Sequence, residues 1–320
     1  MNLKHLKLST LALAFLTIGC TTTTTSSPTT IATSISPIGA KGPATGEQIT
    51  PISYAKFAPI LAASKLQIST PNGKAGSKNE VAEDGNFKDI MDENFYVDKG
   101  SEAFVFKMEG YKLRNELRVR ENFKSNDPNT FHRLSAELLL INPQDSVKDS
   151  TKKNREMTVL QVHNKGTADD GKHGTGYIPH PLLRIVWLEE RSGIKNHYWA
   201  IIKNNALNCR KVDGAYPFPE CKKSYLKMDL GAASATEATQ FDIIVGGEKL
   251  VIKMNGETKV DHSLDYWTHM LSYFKAGVYN QFKNGQSEAH FYQLEYKVDK
   301  IVNEVEVAEE DEDDWGDAEW

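Results

Sequence analysis

One stretch of the sequence places basic side chains at alternating positions. Between residues 113 and 120, Arg114, Glu116, Arg118 and Arg120 occupy every second position, and the residues between them are mainly apolar. This alternation predicts a strand with one polar face. A guanidinium group binds a carboxylate through two hydrogen bonds, so this face suits a carboxylate-binding floor. The alternative is a ladder of cross-strand ion pairs on a solvated sheet.

A second short stretch adds groups that can donate and accept protons. In Val159–His163, Leu160 and Val162 face one way, and Gln161 and His163 face the other. A single histidine on a strand is more often structural than catalytic. Here it co-occurs with polar residues in the middle of two other predicted strands, and this favours a site.

The third stretch, residues 273–282, has the strongest alternation. Its apolar face is interrupted only by Asn280. Its other face is rich in hydrogen-bonding groups, namely Tyr273, Lys275, Gly277, Tyr279 and Gln281. The pattern predicts a strand that packs one side on a core and lines a polar groove with the other.

These three stretches belong to a chain that is predicted to be almost entirely β from about residue 95. Short alternating segments are separated by turn sequences such as Ser192-Gly193, Gly246-Gly247 and Asn255-Gly256. Short helices are expected only within residues 58–69 and 263–271. The fold class that follows is all-β, an antiparallel β-sandwich of the jelly-roll type.

The ends of the chain differ in composition from the middle. An apolar run after Lys4 and Lys7 ends at Cys20 and predicts a signal peptide over residues 1–20. Thr17-Ile18-Gly19-Cys20 resembles a bacterial lipobox with Cys20 as the lipidated residue, and the alternative is type I cleavage nearby. Residues 21–57 are predicted to be a flexible tether, 58–303 the folded domain and 304–320 an acidic disordered tail.

Net charge bears on the binding partner, and cysteine content bears on export. The tail carries ten acidic residues, and removing them changes the net charge from −5 to +5, which suits a polyanionic partner or an ordinary solvated surface. If Cys20 carries lipid, Cys209 and Cys221 can form a disulfide in an oxidising compartment. A metal pair is the weaker alternative, because the spacing is wide and no histidine lies between the two cysteines.

Three motifs together resemble the signature of alginate lyases of polysaccharide lyase family 7. They are Arg114-Asn115-Glu116-Leu117-Arg118, Gln161-Val162-His163 and the segment from Tyr273 to Gln281. The resemblance spans roughly residues 58–298. It implies a concanavalin-like jelly roll with a concave groove, no metal or other cofactor, and β-elimination of a 4-linked polyuronate, alginate.

The resemblance also implies residue roles. Arg114 and Gln161 would neutralise the substrate carboxylate, so that removal of the carbon 5 proton leaves a stabilised enolate. Tyr279 would transfer a proton near the glycosidic oxygen, and His163 would act as base or stabiliser. Neighbouring sugars would be held by Arg118, Glu116, Lys275 and Gln281.

The substrate preference and the cellular location are predicted from fewer residues than the activity is. In this family Val at the middle of the second motif tends to accompany mannuronate, so Val162 favours mannuronate-rich alginate over guluronate-rich alginate or another polyuronate. A non-catalytic glycan-binding lipoprotein and a hydrolase are competing interpretations, and a hydrolase needs two carboxylates across the cleft. We expect a monomer at the bacterial envelope that is attached to the membrane only by lipid. We do not expect it to bind nucleic acid. The glycine-rich stretch after His163 is either a lid or an irregular loop.

Overall fold

The computed structural model describes residues 44–151, 155–167, 177–178, 180–204 and 224–301. The predicted signal peptide, most of the tether, the acidic tail, residues 168–176 of the glycine-rich stretch, Cys20, Cys209 and Cys221 lie outside these residues. Within them, no helix has the length and apolar character needed to cross a membrane.

The described residues form two antiparallel eight-stranded sheets, and this confirms the predicted jelly-roll class. In spatial order, the first sheet contains β1 (Gln48–Ile49), β4 (Phe95–Asp98), β5 (Phe104–Glu109), β16 (Gln286–Lys300), β7 (Thr130–Leu140), β12 (Thr239–Gly246), β13 (Lys249–Met254) and β14 (Glu257–Ser263). The second contains β11 (Tyr225–Ala232), β10 (Ile194–Lys203), β9 (Leu183–Arg191), β8 (Glu156–Gly166), β15 (Leu271–Asn280), β6 (Arg114–Val119), β2 (Ser64–Ile68) and β3 (Asn79–Val81).

Helices are short in the described part of the chain. They are α1 (Ala58–Ala62), α2 (Pro143–Val147) and the 3-10 turns Pro51–Ser53, Ala55–Phe57 and Asp265–Trp267. The helix expected within residues 58–69 ends at Ala62 and is followed by β2, whose alternating Leu66 and Gln67 enter the second sheet. The helix expected within residues 263–271 is a single 3-10 turn.

The predicted boundary between tether and domain at residue 58 is wrong. The β1 strand pairs with Val97 and Asp98 of β4, which places part of the predicted tether in the first sheet. The Asp98 carboxylate accepts hydrogen bonds from the backbone N–H groups of Thr45 and Gly46. Phe57 is fully buried in the core. The ordered domain therefore begins before residue 58.

The core lies between the two sheets and contains the apolar face of each strand that carries a motif. Leu117, Leu160, Val162, Phe274 and Val278 all belong to this cluster. Because side chains alternate along a strand, burial of this face directs the intervening polar residues away from the core. The second sheet therefore presents all three motifs on its outer face.

Candidate active site

Three adjacent strands of the second sheet bring the motifs together. β15 lies between β6 and β8. Tyr279 pairs with Arg114 across one boundary, and Lys275 pairs with Gln161 across the other. Arg114, Gln161, His163 and Tyr279 line a single cavity of about 410 Å³. The structure thus places the four predicted catalytic residues at one location.

A glycine allows β15 to follow this path. Gly277 has a φ of +138°, and a Cβ atom there would lie 2.2 Å from the carbonyl oxygen of Asn115 on β6. Next to it, the pairing of β15 with β8 shifts between Ala276 and Tyr279, which is a β-bulge. Gly277 is therefore required by the close approach of the neighbouring strand, and the bulge re-aims the segment that carries Tyr279.

A buried charge cluster underlies the cavity. The Glu116 carboxylate accepts hydrogen bonds from Lys275 Nζ and from Gln161 Nε2. Arg114 Nη1 lies 3.7 Å from the same carboxylate. The side chains of Glu116 and Lys275 are only 2% and 0% exposed. Gln161 and Arg114, which both reach the cavity, are thus held from below by one carboxylate.

Glu116 and Lys275 are both ionised at neutral pH, although burial acts against the charge of each. Burial opposes ionisation of Glu116, but the charges of Lys275 and Arg114 hold its pKa below the ordinary value. Burial lowers the pKa of Lys275 to about 8, and the charge of Glu116 opposes this decrease.

This placement corrects the expectation that Glu116 and Lys275 bind sugars directly. Their side chains are enclosed under the cavity floor because opposite charges on adjacent strands neutralise each other there. These two residues therefore influence the cavity through the side chains above them, Gln161, Arg114 and His163.

His163 is oriented by its own backbone surroundings. Its Nδ1 lies 3.0 Å from the carbonyl oxygen of Asn164, so the neutral ring donates from Nδ1 and carries its lone pair on Nε2. Tyr273 stacks on the ring at 5.2 Å between centroids. Burial, followed by the charge of Lys275, lowers the pKa of His163 to about 4. At neutral pH the imidazole is consequently an uncharged proton acceptor.

Tyr279 has the opposite protonation preference. Burial raises the pKa of its phenol, although the charge of Arg114 partly opposes the increase. The Arg114 guanidinium lies 4.6 Å from the centroid of the Tyr279 ring. Tyr279 is therefore a phenol at neutral pH, next to a guanidinium that can bind an anion.

The two remaining predicted substrate-binding residues differ in position. Gln281 lines the cavity. Arg118 is buried, with its guanidinium 3.9 Å from the Tyr273 ring centroid. It donates hydrogen bonds to the carbonyl oxygens of Val119 and Arg120. Arg118 is thus engaged with the end of its own strand, and burial lowers its pKa.

Sequence reasoning missed one wall of the cavity. The additional lining residues that the three motifs do not contain are Glu156, Asn164, Tyr177, His180, Pro181, Arg184 and Tyr225. Arg184 forms an ion pair with Glu156. Its position between Leu183 and Ile185 is an alternation that could have identified it. Asn164 donates hydrogen bonds to the carbonyl oxygens of Ile178 and His180, which fix the segment that forms this wall.

A metal site and a two-carboxylate hydrolase each require a particular arrangement of side chains. Among them, no group of three histidine, cysteine or carboxylate side chains is arranged to hold a metal ion. In the described lining of the cavity, Glu156 is the only carboxylate, and it is paired with Arg184. Hydrolysis by two carboxylates across a cleft does not match this arrangement.

Comparisons with known proteins agree with this chemistry. The family model described as "Alginate lyase" matches residues 61–298. An alginate lyase of Photobacterium sp. (strain ATCC 43367) is 50% identical over 257 residues, which cover 79% of this chain and 89% of that protein.

Solved structures show the same relationship. Alginate lyase AlyC3 is 49% identical, with a TM-score of 0.76, covering 80% of this chain and 97% of AlyC3. Its complex with dimannuronate matches at 48% identity and a TM-score of 0.77, with the same coverage. Alginate lyase A1-II', a member of polysaccharide lyase family 7, is 19% identical with a TM-score of 0.55. The match covers 77% of this chain and 99% of that chain, and at this identity it supports the fold alone.

Proposed function

The chain belongs to the alginate lyase family, and we propose that it prefers mannuronate-rich alginate and cleaves it in the cavity of Arg114, Gln161, His163 and Tyr279. One observation carries the assignment of roles. An imidazole that is held unprotonated and a phenol that is held protonated line the same cavity as a guanidinium and an amide. These are the groups that β-elimination beside a carboxylate requires.

Activation of the substrate begins at its carboxylate. The proton on carbon 5 is only weakly acidic while the adjacent carboxylate is fully charged. Arg114 and Gln161 bind this carboxylate, so that the negative charge of the developing enolate is neutralised. Glu116 holds both residues in position from below. The site is therefore organised before substrate arrives.

Elimination displaces two electron pairs: the carbon 5–hydrogen pair becomes the new double bond, and the carbon 4–oxygen pair leaves with the glycosidic oxygen, which then receives a proton. The carbon 5–hydrogen bond breaks, a double bond forms between carbons 4 and 5, and the bond from carbon 4 to the glycosidic oxygen breaks. In guluronate the proton and the leaving oxygen lie on opposite sides of the ring. His163 Nε2 accepts the proton and the Tyr279 phenol protonates the leaving oxygen, which matches the resting protonation states of both groups.

In mannuronate the proton and the leaving oxygen lie on the same side. Tyr279 serves there as both base and acid, taking the carbon 5 proton as a phenolate and then passing it to the leaving oxygen. Since burial raises the pKa of this phenol, the phenolate requires a proton acceptor. The unprotonated Nε2 of His163, in the same cavity, is suited to that role.

Two observations support the mannuronate preference. A structure of the similar AlyC3 contains dimannuronate. Val162 lies at the middle of the second motif, where Val tends to accompany mannuronate in this family. Val162 is fully buried, so it influences the cavity only through the position of Gln161 and His163.

The proposal is tested by incubation with polymannuronate, polyguluronate and native alginate, each with EDTA present. Ultraviolet absorbance of the unsaturated product end reports the reaction. We expect absorbance to rise on polymannuronate faster than on polyguluronate. No rise on any polymer would refute the elimination, and a faster rise on polyguluronate would refute the substrate preference.

We further propose that the protein is an exported monomer anchored to the bacterial envelope by lipid on Cys20, with a disulfide between Cys209 and Cys221. The support is the apolar leader that ends at Cys20 and the even number of cysteines that remain. Cys20→Ser is expected to release the protein from the membrane fraction. Retention of the variant in that fraction would refute the anchor.

A further inference from the structure

A second cavity of about 460 Å³ lies on the same outer face as the catalytic cavity. The two cavities share Glu156, Arg184 and Tyr225 as lining residues. The second cavity extends to Arg191 at the end of β9 and to Lys227 on β11. It is therefore a continuation of the groove towards the edge of the sheet, and none of the three motifs contributes to it.

The basic residues of this second cavity are incompletely neutralised. Arg155 Nη1 lies 2.8 Å from both carboxylate oxygens of Glu189, and Arg184 pairs with Glu156. Within the described ranges, Arg191 and Lys227 have no carboxylate within ion-pair distance.

Arg191 and Lys227 are close enough for the charge of Arg191 to affect the pKa of Lys227. Burial, followed by the positive charge of Arg191, lowers its pKa. Two like charges held together on a sheet surface favour binding of an anion between them.

Part of the lining of the second cavity is apolar although it faces away from the core: Leu188 and Ile201 line it, beside the carboxylates of Glu156 and Glu190. Val186, Leu188, Trp199 and Ile201 form a separate hydrophobic cluster, against which Tyr225 packs. The Arg191 guanidinium lies 5.4 Å from the centroid of the Trp199 ring. A uronate sugar offers apolar C–H faces and one carboxylate. Apolar side chains with cations beside them are complementary to both.

Strand register aligns the second cavity with the first. Lys227 pairs with Ile201, Ile201 pairs with Arg184, and Arg184 pairs with Gln161. Paired residues form a line across the sheet, and three strand spacings correspond to about 14 Å. A substrate chain that follows this line passes from the catalytic cavity to Lys227 within a few sugar units.

We propose that the second cavity is a distal subsite that binds one uronate unit of the polysaccharide chain being cleaved. Arg191 and Lys227 bind the carboxylate of this unit, and the Leu188 and Ile201 side chains contact its sugar ring. This inference rests on the proposed function, because the ligand is the substrate of the catalytic cavity. The subsite makes affinity increase with chain length.

The test measures binding separately from cleavage. A Tyr279→Phe background prevents turnover, and calorimetry gives Kd for a mannuronate trimer and a mannuronate octamer. The double variant Arg191→Ala/Lys227→Ala is compared with Lys249→Ala/Lys259→Ala, which removes the same charge from exposed or partly exposed positions on the first sheet. Circular dichroism checks that each variant is folded.

We expect the octamer to bind more tightly than the trimer. In Arg191→Ala/Lys227→Ala the ratio of the trimer Kd to the octamer Kd, which is the advantage of the longer chain, should fall about tenfold, which corresponds to about 1.4 kcal/mol. The control pair should preserve the advantage. An unchanged advantage in Arg191→Ala/Lys227→Ala, or an equal reduction in the control pair, would overturn the subsite. Failure of the proposed function is a separate result, namely no unsaturated product from the wild-type protein.

Discussion

The Glu116–Lys275 pair gives the most quantitative prediction. Lys275→Met leaves the Glu116 carboxylate buried, with Gln161 and the guanidinium of Arg114 at 3.7 Å as its remaining partners. Removing one partner of a buried ion pair destabilises a protein by about 3–5 kcal/mol. Because Arg114 remains nearby, we expect about 3 kcal/mol, and a decrease in melting temperature of about 10 °C for a domain of this size.

A double-mutant cycle separates the charge effect from the loss of packing. Glu116→Gln/Lys275→Met removes both charges, so the double variant should be less destabilised than Lys275→Met alone, with a coupling energy of about 2 kcal/mol. Lys249→Met is the matched control, since Lys249 and Asp261 form an exposed pair at 3.2 Å. An exposed pair contributes about 1 kcal/mol or less.

Urea unfolding followed by tryptophan fluorescence provides the free energies. The reasoning would be refuted if Lys275→Met were no more destabilising than Lys249→Met. It would also be refuted if the double variant lost the full sum of the two single effects. Either result would mean that the pair is not an energetically coupled, desolvated interaction.

Three further predictions concern catalysis. His163→Asn should reduce kcat on both polymers by about a hundredfold or more, because each route requires a proton acceptor at this position; normal turnover of polymannuronate would exclude the role of His163 in that route. The acidic limb of kcat/KM should reflect a pKa near 4 rather than 6.5, because the His163 ring stays unprotonated until pH falls to about 4; a limb near 6.5 that is absent in His163→Asn would contradict this. EDTA should leave the initial rate unchanged, and a loss restored by added divalent cation would show that a metal is required.

The sequence predicted which side chains would share one face of the sheet because alternation is a local property. Leu160 and Val162 enter the core, so Gln161 and His163 must face the other way, and the same argument applies to Tyr279 beside Val278. Assembly of the four residues further required β6, β15 and β8 to be neighbours. The resemblance to a known family supplied that information.

What the sequence did not predict depends on contacts between distant strands. Glu116 and Lys275 face the groove side as alternation requires, but only the register between β6 and β15 shows that they neutralise each other beneath it. The β11 strand was missed although Leu226, Met228 and Leu230 alternate with polar residues and contact the core, because this face is short and only Leu230 is fully buried. The two-residue β1 has no local pattern, and its position depends on Asp98.

The central claim is that the Tyr279 phenol transfers the proton in the elimination. Its most direct test is Tyr279→Phe, which keeps the ring against Arg114 and removes only the hydroxyl group. We predict that the rate of unsaturated product formation on polymannuronate falls by about a hundredfold to ten-thousandfold, while Kd for a mannuronate oligomer and the melting temperature remain those of the wild-type protein. Turnover near the wild-type rate, with binding intact, would contradict the account.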